Sequence, residues 1–221
     1  MSTIEIFENE RAFGYDDFVH TWIPNYKFFI DNLPALLSDQ QSDPLLVVGC
    51  GTGNEMYAFK KYDQNWQLTG VDPSPDMISQ AQNKLRDRQA VQLVEGEVKD
   101  LPATDRFGAA TLLLVLHFLK DNGTKLQLLR DIAERMESGS PLVLFDIFGG
   151  NELLKHNLNL LQHFIKNVSE EDKQERLKRI ESHLHPLSED RLSALLQKAG
   201  FQVPKRFYQT TIYGGWIAYR Q

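Results

Sequence analysis

The stretch Leu45-Leu46-Val47-Val48-Gly49-Cys50-Gly51-Thr52-Gly53-Asn54-Glu55 constrains this chain more than any other. Four consecutive apolar residues, entered through Asp43-Pro44, predict a short strand buried on both faces. Three glycines then alternate with small residues, so the backbone can take positive φ and lie directly against a ligand. From Asn54 onward a helix can begin, and its first N–H groups, which have no partner within the helix, point back at the turn. Strand, glycine turn and helix in that order is how an α/β sheet holds a nucleoside-like ligand beyond a strand's carboxyl end.

The spacing excludes two common ligand loops. A dinucleotide fingerprint, G-x-G-x-x-G, needs its last glycine where Met56 stands if counted from Gly51, or Asn54 if counted from Gly49. A P-loop needs lysine after its last glycine, and Gly53 is followed by Asn54. Downstream, Trp66–Asp72 alternates as a second strand and ends in Asp72, 19 positions after Gly53. A carboxylate there offers two acceptor oxygens to a ribose cis-diol, or it caps the helix that Pro73-Ser74-Pro75 starts. Further elements follow: a helix over Pro75–Arg88, a third strand over Val91–Glu95, and an apolar run over Phe107–Leu119 that predicts a central strand. A helix over Asp121–Glu137, with Leu126, Leu129, Ile132, Ala133 and Met136 on one face, and a fifth strand over Leu142–Phe148 complete the pattern. Strands separated by helices of this length predict a parallel sheet with right-handed crossovers.

These motifs resemble those of the class I S-adenosylmethionine (SAM) methyltransferases. Gly49-Cys50-Gly51-Thr52-Gly53 resembles their motif I, and Gly70-Val71-Asp72-Pro73-Ser74-Pro75-Asp76-Met77-Ile78 their motif II. Gly96-Glu97-Val98-Lys99-Asp100-Leu101-Pro102 stands where that family reads Gly-Asp-x-x-x-Leu-Pro, and the ending Ala199-Gly200-Phe201 … Trp216-Ile217-Ala218-Tyr219-Arg220 resembles its terminal hairpin. The resemblance runs from about Tyr26 to the C-terminus. It implies a Rossmann-like α/β sandwich whose mostly parallel seven-stranded sheet ends in an antiparallel C-terminal hairpin strand. It implies SAM as cofactor and S-adenosylhomocysteine (SAH) as product, with Gly49, Cys50, Gly51, Gly53, Asp72, Pro73, Met77, Glu97, Val98, Leu113 and Tyr26 as cofactor contacts. In that reading Asp72 holds the ribose, Met77 touches the adenine edge, and Glu97 accepts from its amino group where an aspartate is commoner.

The chain also departs from the family. Gly108 replaces the usual aspartate before the fourth strand. Leu112-Leu113-Leu114 replaces the Asn/Asp-Pro-Pro-Tyr of amino methyltransferases acting on nucleic acids, which speaks against that chemistry. His117 is the candidate general base, or else a residue that starts a helix beside the pocket. Ile23-Pro24-Asn25-Tyr26, Leu116-His117-Phe118-Leu119 and the C-terminal Gly214-Gly215-Trp216-Ile217-Ala218 also look like carboxy-S-adenosylmethionine synthase. That family sets an arginine on its ligand's extra carboxylate just before the last helix. Here Glu181 falls near that place, with Arg179 two residues away.

Residues 1–40 read as a loose arm and then an aromatic-rich helix, where Tyr15, Trp22 and Tyr26 are core filler or a lid over the ligand. Residues 151–187 break the strand–helix rhythm as a helical excursion over the active site. Its run Lys173, Arg176, Lys178 and Arg179 is a solvated face, or a substrate cover in which a cation meets an acidic group. His183-x-His185 lacks accompanying ligands, so no metal is expected. The expectation is one domain over 1–221. A formal charge of −6 opposes non-specific nucleic-acid or membrane binding. A single cysteine fits a reducing compartment, no apolar run reaches a membrane span, and the start lacks the pattern of a signal peptide. A cytoplasmic enzyme with a small-molecule methyl acceptor, with a homodimer open, is the expected whole; the alternative outside enzymes is a non-catalytic SAM-binding partner protein.

Overall fold

The computed structural model describes residues 8–40 and 43–221; the expectation of a loose arm over residues 1–7 lies outside them. Three N-terminal helices, α1 (Glu10–Phe13), α2 (Tyr15–Trp22) and α3 (Tyr26–Leu36), precede the sheet. The sheet and its crossovers then alternate as β1 (Leu45–Val48), α4 (Asn54–Tyr62), β2 (Leu68–Asp72), α5 (Pro75–Leu85), β3 (Val91–Glu95), β4 (Ala109–Leu113), α6 (Thr124–Arg135) and β5 (Pro141–Ile147). Next come α7 (Asn151–Phe164), α8 (Glu170–His183), α9 (Glu189–Lys198), β6 (Lys205–Thr210) and β7 (Tyr213–Tyr219).

Seven strands pair in the order β3-β2-β1-β4-β5-β7-β6. β1 to β5 run parallel, and β7 inserts antiparallel between β5 and β6. The chain reverses direction across the sheet between β1 and β4. A crevice opens there beyond the carboxyl ends, because the loops after these two strands leave in opposite directions. The apolar residues of β1 and β4 divide between two cores, as strands covered on both faces require. Leu45, Val47, Ala109 and Leu113 face one, and Leu46, Val48, Ala110 and Leu112 face the other.

The apolar run Phe107–Leu119 divides into a strand and its loop: β4 stops at Leu113, and Leu116–Phe118 form a turn of 3₁₀ helix. Leu114 has φ +60°, a conformation that costs a branched residue energy, and its N–H donates to Phe145 O at 2.7 Å. The run is apolar because most of it is buried, with Val115 and Phe118 partly so, and not because all of it is extended. The excursion consists of α7 and α8. Pro34 does not break α3, which runs on through it to Leu36. Gly108 also has a local reason. A Cβ there would come within 2.3 Å of the Asp43 side chain, so an aspartate at 108 would collide with it.

Candidate cofactor and acceptor site

The glycine loop leaves β1 with Gly49, Gly51 and Gly53 at φ +68°, +52° and +80°. A Cβ on Gly49 would lie 2.4 Å from the Val115 side chain, so the loop passes under the β4 turn only as glycine. Asp72 closes the loop from the end of β2. Its Oδ2 accepts from Gly51 N at 2.9 Å and its Oδ1 from Ser74 N at 2.9 Å. Burial raises its pKa while these two N–H groups pull it back down. The helix-capping alternative for this motif falls to Ser74, whose Oγ accepts from Met77 N.

From below, α2 clamps the same loop. Asp16 Oδ1 accepts from Thr52 Oγ1 at 2.6 Å and Asn54 Nδ2 at 2.8 Å, and its Oδ2 pairs with Lys84 Nζ at 2.7 Å. Burial alone would raise the Asp16 pKa, but bonds from Lys84, Thr52 and Asn54 bring it below the ordinary value. Glu55, the second residue of α4, accepts from the Thr111 hydroxyl of β4. Burial pushes its pKa up to about 8.

Three cavities meet at this edge. A cavity of about 600 Å³ is walled by Gly49, Pro73, Gly96, Glu97, Val98 and Leu119, among others. A narrow one over the glycine loop is walled by Tyr15, Tyr26, Cys50, Gly51, Glu55 and Leu113, among others. A third, of about 490 Å³, lies between α2, α8 and the ends of β4 and β5. Its wall includes Phe18, Trp22, Phe118, Tyr213, Arg176 and Arg179 together with His117. Tyr15 and Leu114 line both the second and the third.

The structure therefore brings Gly49, Cys50, Gly51, Pro73, Glu97, Val98, Leu113 and Tyr26 to cavity walls, with Asp72 bonded to the loop between them. Gly53 and Met77 are not among the lining residues. Gly53 packs against Ala81 and Leu85 of α5, and Met77 is buried behind Ser74. Cys50 faces the loop cavity with its backbone region while its side chain packs toward Gly70. Of the N-terminal aromatics, Tyr15 and Tyr26 border the loop cavity and Trp22 the third. Of the basic run, Arg176 and Arg179 reach that third cavity, and the Arg176 guanidinium stacks 4.5 Å from the Phe18 ring centre.

One acid emerges from the structure without having been singled out in the sequence. Asp146, near the end of β5, is 5% exposed and lies beside the equally buried His117. Its Oδ1 sits 2.6 Å from His117 Nδ1 and accepts from Ile147 N at 2.7 Å; its Oδ2 accepts from Leu116 N at 2.8 Å. A carboxylate only accepts, so in this pair Nδ1 carries a proton and Nε2 is the ring nitrogen not engaged by Asp146. Lys125 of α6 fixes the same turn, donating to Leu116 O at 2.5 Å and His185 O at 2.6 Å. Burial lowers its pKa to about 8. His185 N in turn donates to His117 O at 2.7 Å. Among the described residues no cluster of three or more His, Cys, Asp or Glu could hold a metal, and no helix is long and apolar enough to cross a membrane.

The donor set fits a nucleoside with a charged tail. A glycine cradle that any Cβ would fill, a carboxylate at the end of the second strand, and an apolar slot ending at Glu97 lie along one edge. Residues 45–139 match the family model described as "Methyltransferase domain". Over nearly its whole length the chain superposes on magnesium protoporphyrin IX methyltransferase from Synechocystis, solved with bound SAH, with TM-score 0.67 at 14% identity, covering 95% of each chain. It superposes on mitomycin 7-O-methyltransferase with TM-score 0.68 at 17% identity, covering 96% of this chain and 59% of that one. Over residues 45–139 by sequence, and over nearly the whole chain in fold, the protein is similar to the class I, SAM-dependent methyltransferases.

Within that class its sequence is similar to carboxy-S-adenosyl-L-methionine synthases. It is 24% identical to that of Idiomarina loihiensis, over 96% of this chain and 91% of the relative. It is 37% identical to that of Nautilia profundicola over 84 residues, about a third of each protein.

Proposed function

We propose that the protein transfers the methyl group of SAM to a small, largely apolar acceptor, with His117 as general base. Asp72 holds the ribose, Glu97 and Val98 the adenine, and Gly49, Cys50, Gly51, Leu113 and Tyr26 the methionine end; Gly53 turns the loop into α4 against α5, and Pro73 and Met77 support the adenine side. The observation that carries this reading is the third cavity: mostly aromatic and aliphatic, sharing Tyr15 and Leu114 with the loop cavity, with His117 in its wall and Asp146 behind His117.

When bound, SAM supplies an already electrophilic methyl, so the chain need only align the acceptor and exclude water. A hydroxyl acceptor arrives protonated. His117, with Nδ1–H held on Asp146, takes that proton at Nε2, and the Asp146 carboxylate steadies the imidazolium formed. Incubation with SAM and a panel of phenols, alcohols, carboxylic acids and amines, read as SAH formed, tests the proposal. Methylation of tRNA with no small acceptor turned over would refute it.

A second reading, a carboxy-SAM synthase-like enzyme, draws on the end-to-end similarity to those synthases and on Arg176 and Arg179 beside the third cavity. Guanidinium groups there could meet an added carboxylate. Mass spectrometry of the ligand that copurifies separates the two: the mass of SAM or SAH favours methyl transfer, and a carboxylated SAM favours the second.

A further inference from the structure

Glu55 is a buried carboxyl for which methyl transfer, as described above, has no task. It is 6% exposed, sits one residue into α4 where the glycine loop ends, and lines the loop cavity beside Tyr15, Tyr26 and Leu113. Its only role toward the fold that the geometry shows is to accept from the Thr111 hydroxyl, which an amide oxygen would serve equally well.

Apart from Lys84, the charged and titratable groups around it are acidic or neutral. Tyr15 comes from α2, Tyr26 from α3, Cys50 from the loop, and each is pushed upward by the Glu55 charge as well as by its own burial. Asp72 at the end of β2 and Asp16 on α2 add negative charge nearby. The cation of this region, Lys84, is held by Asp16, Thr52 and Asn54. Burial without a cationic partner keeps such a carboxyl protonated near neutral pH. A ligand that brings a positive charge into the cavity supplies the missing partner.

We propose that Glu55 ionises as SAM binds and becomes the counter-ion to the cofactor's positively charged methionine end, its proton leaving to solvent. The inference rests on the loop cavity being the cofactor's methionine site. The step is balanced: one carboxylic acid gives one carboxylate and one proton, and no bond to the cofactor forms. Two cationic centres qualify, the sulfonium, present in SAM alone, and the α-ammonium, shared by SAM and SAH.

Calorimetric titration of the full chain with SAM at pH 7, in phosphate and in imidazole buffer, tests this directly. The two buffers absorb a released proton with different heats, so the difference counts protons. The wild type should release close to one proton per SAM bound, and Glu55→Gln none. Between pH 6 and 7, below the range in which the ligand's own amine titrates, wild-type affinity should rise about tenfold, as one coupled proton requires. That of Glu55→Gln should stay level. A parallel titration with SAH assigns the centre: equal release points to the ammonium, release with SAM alone to the sulfonium. Proton-neutral SAM binding by the wild type, or equal release from Glu55→Gln, would overturn the proposal. A well-folded wild type that binds neither ligand would instead refute the cofactor site, and the proposal with it. The wild-type comparison decides the matter even if the variant fails to fold.

Discussion

Replacing Asp146 by asparagine tests the His117 pair without knowledge of the acceptor. The carboxylate accepts from three donors: His117 Nδ1 at 2.6 Å and Ile147 N at 2.7 Å on one oxygen, and Leu116 N at 2.8 Å on the other. An amide has one oxygen and one NH₂. With its oxygen placed toward His117 and Ile147, its NH₂ faces the Leu116 N–H; turned over, it faces the other two donors. At least one buried N–H is orphaned either way, at a cost of about 1–3 kcal/mol, and the remaining bonds lose their ionic character. The sum is a destabilisation of roughly 2–4 kcal/mol, read as a shifted urea midpoint at unchanged slope. Binding of SAM should stay within about twofold, a shift well under 1 kcal/mol, because Asp72 and the glycine loop keep their own bonds. Nitrogen NMR of the imidazole should show the proton on Nδ1 in the wild type and a loss of that preference in Asp146→Asn. A variant as stable as the wild type, or a wild-type ring protonated on Nε2 alone, would refute the pairing and with it the proposed base.

If Asp72 holds the ribose as proposed, Asp72→Ala should weaken SAM binding by about 2–4 kcal/mol, roughly 30- to 1000-fold, since bonds from the diol to a carboxylate are charge-assisted; calorimetry at fixed pH measures it, and unchanged affinity would remove Asp72 from the site. Glu55 and Lys125 should shape the pH dependence of ligand-free stability in opposite directions. The folded pKa of Glu55 is raised from 4.5 to about 8, so its contribution is present at low pH. It is lost between about pH 4.5 and 8 at roughly 1.4 kcal/mol per unit, and Glu55→Gln should erase that slope in unfolding titrations. The folded pKa of Lys125 is lowered from 10.5 to about 8, so stability should rise between about pH 8 and 10.5, by at most roughly 3 kcal/mol. Lys125→Met should abolish that rise while freeing Leu116 O and His185 O, which amide exchange at the β4 turn would register.

Much of this architecture is legible in the residues because backbone demands write themselves into composition. Only glycine passes under Val115, and glycine takes the loop's positive φ values without the cost a side chain brings, so the cradle shows as G-x-G-x-G. Only an acid at the end of β2 can bind both Gly51 N and a diol, so Asp72 stands out. Burial is less informative than it looks: β4 and the turn after it are equally apolar, and nothing in Leu112-Leu113-Leu114 marks the third leucine as left-handed. Long-range polar partners leave no local trace at all. Asp16 finds Lys84 from 68 residues away, and Glu55 finds Thr111 from 56 away. Asp146 did carry a signal, a lone acid inside the apolar Leu142–Phe148 run. A charge buried in a central strand demands partners, and asking for them leads to His117. Gly108, read as a departure from its relatives, is a local steric requirement of Asp43.

Leu114 and Tyr15 form a partition one side chain thick between two chambers. Leu114 stands in the wall because its backbone is turned against its preference and tied to β5, while Tyr15 is set from the other side by a helix that grips the glycine loop. Neither chamber owns its boundary. A guest that displaced either residue would change the shape offered next door, so in the proposed arrangement cofactor and acceptor would meet across one shared wall.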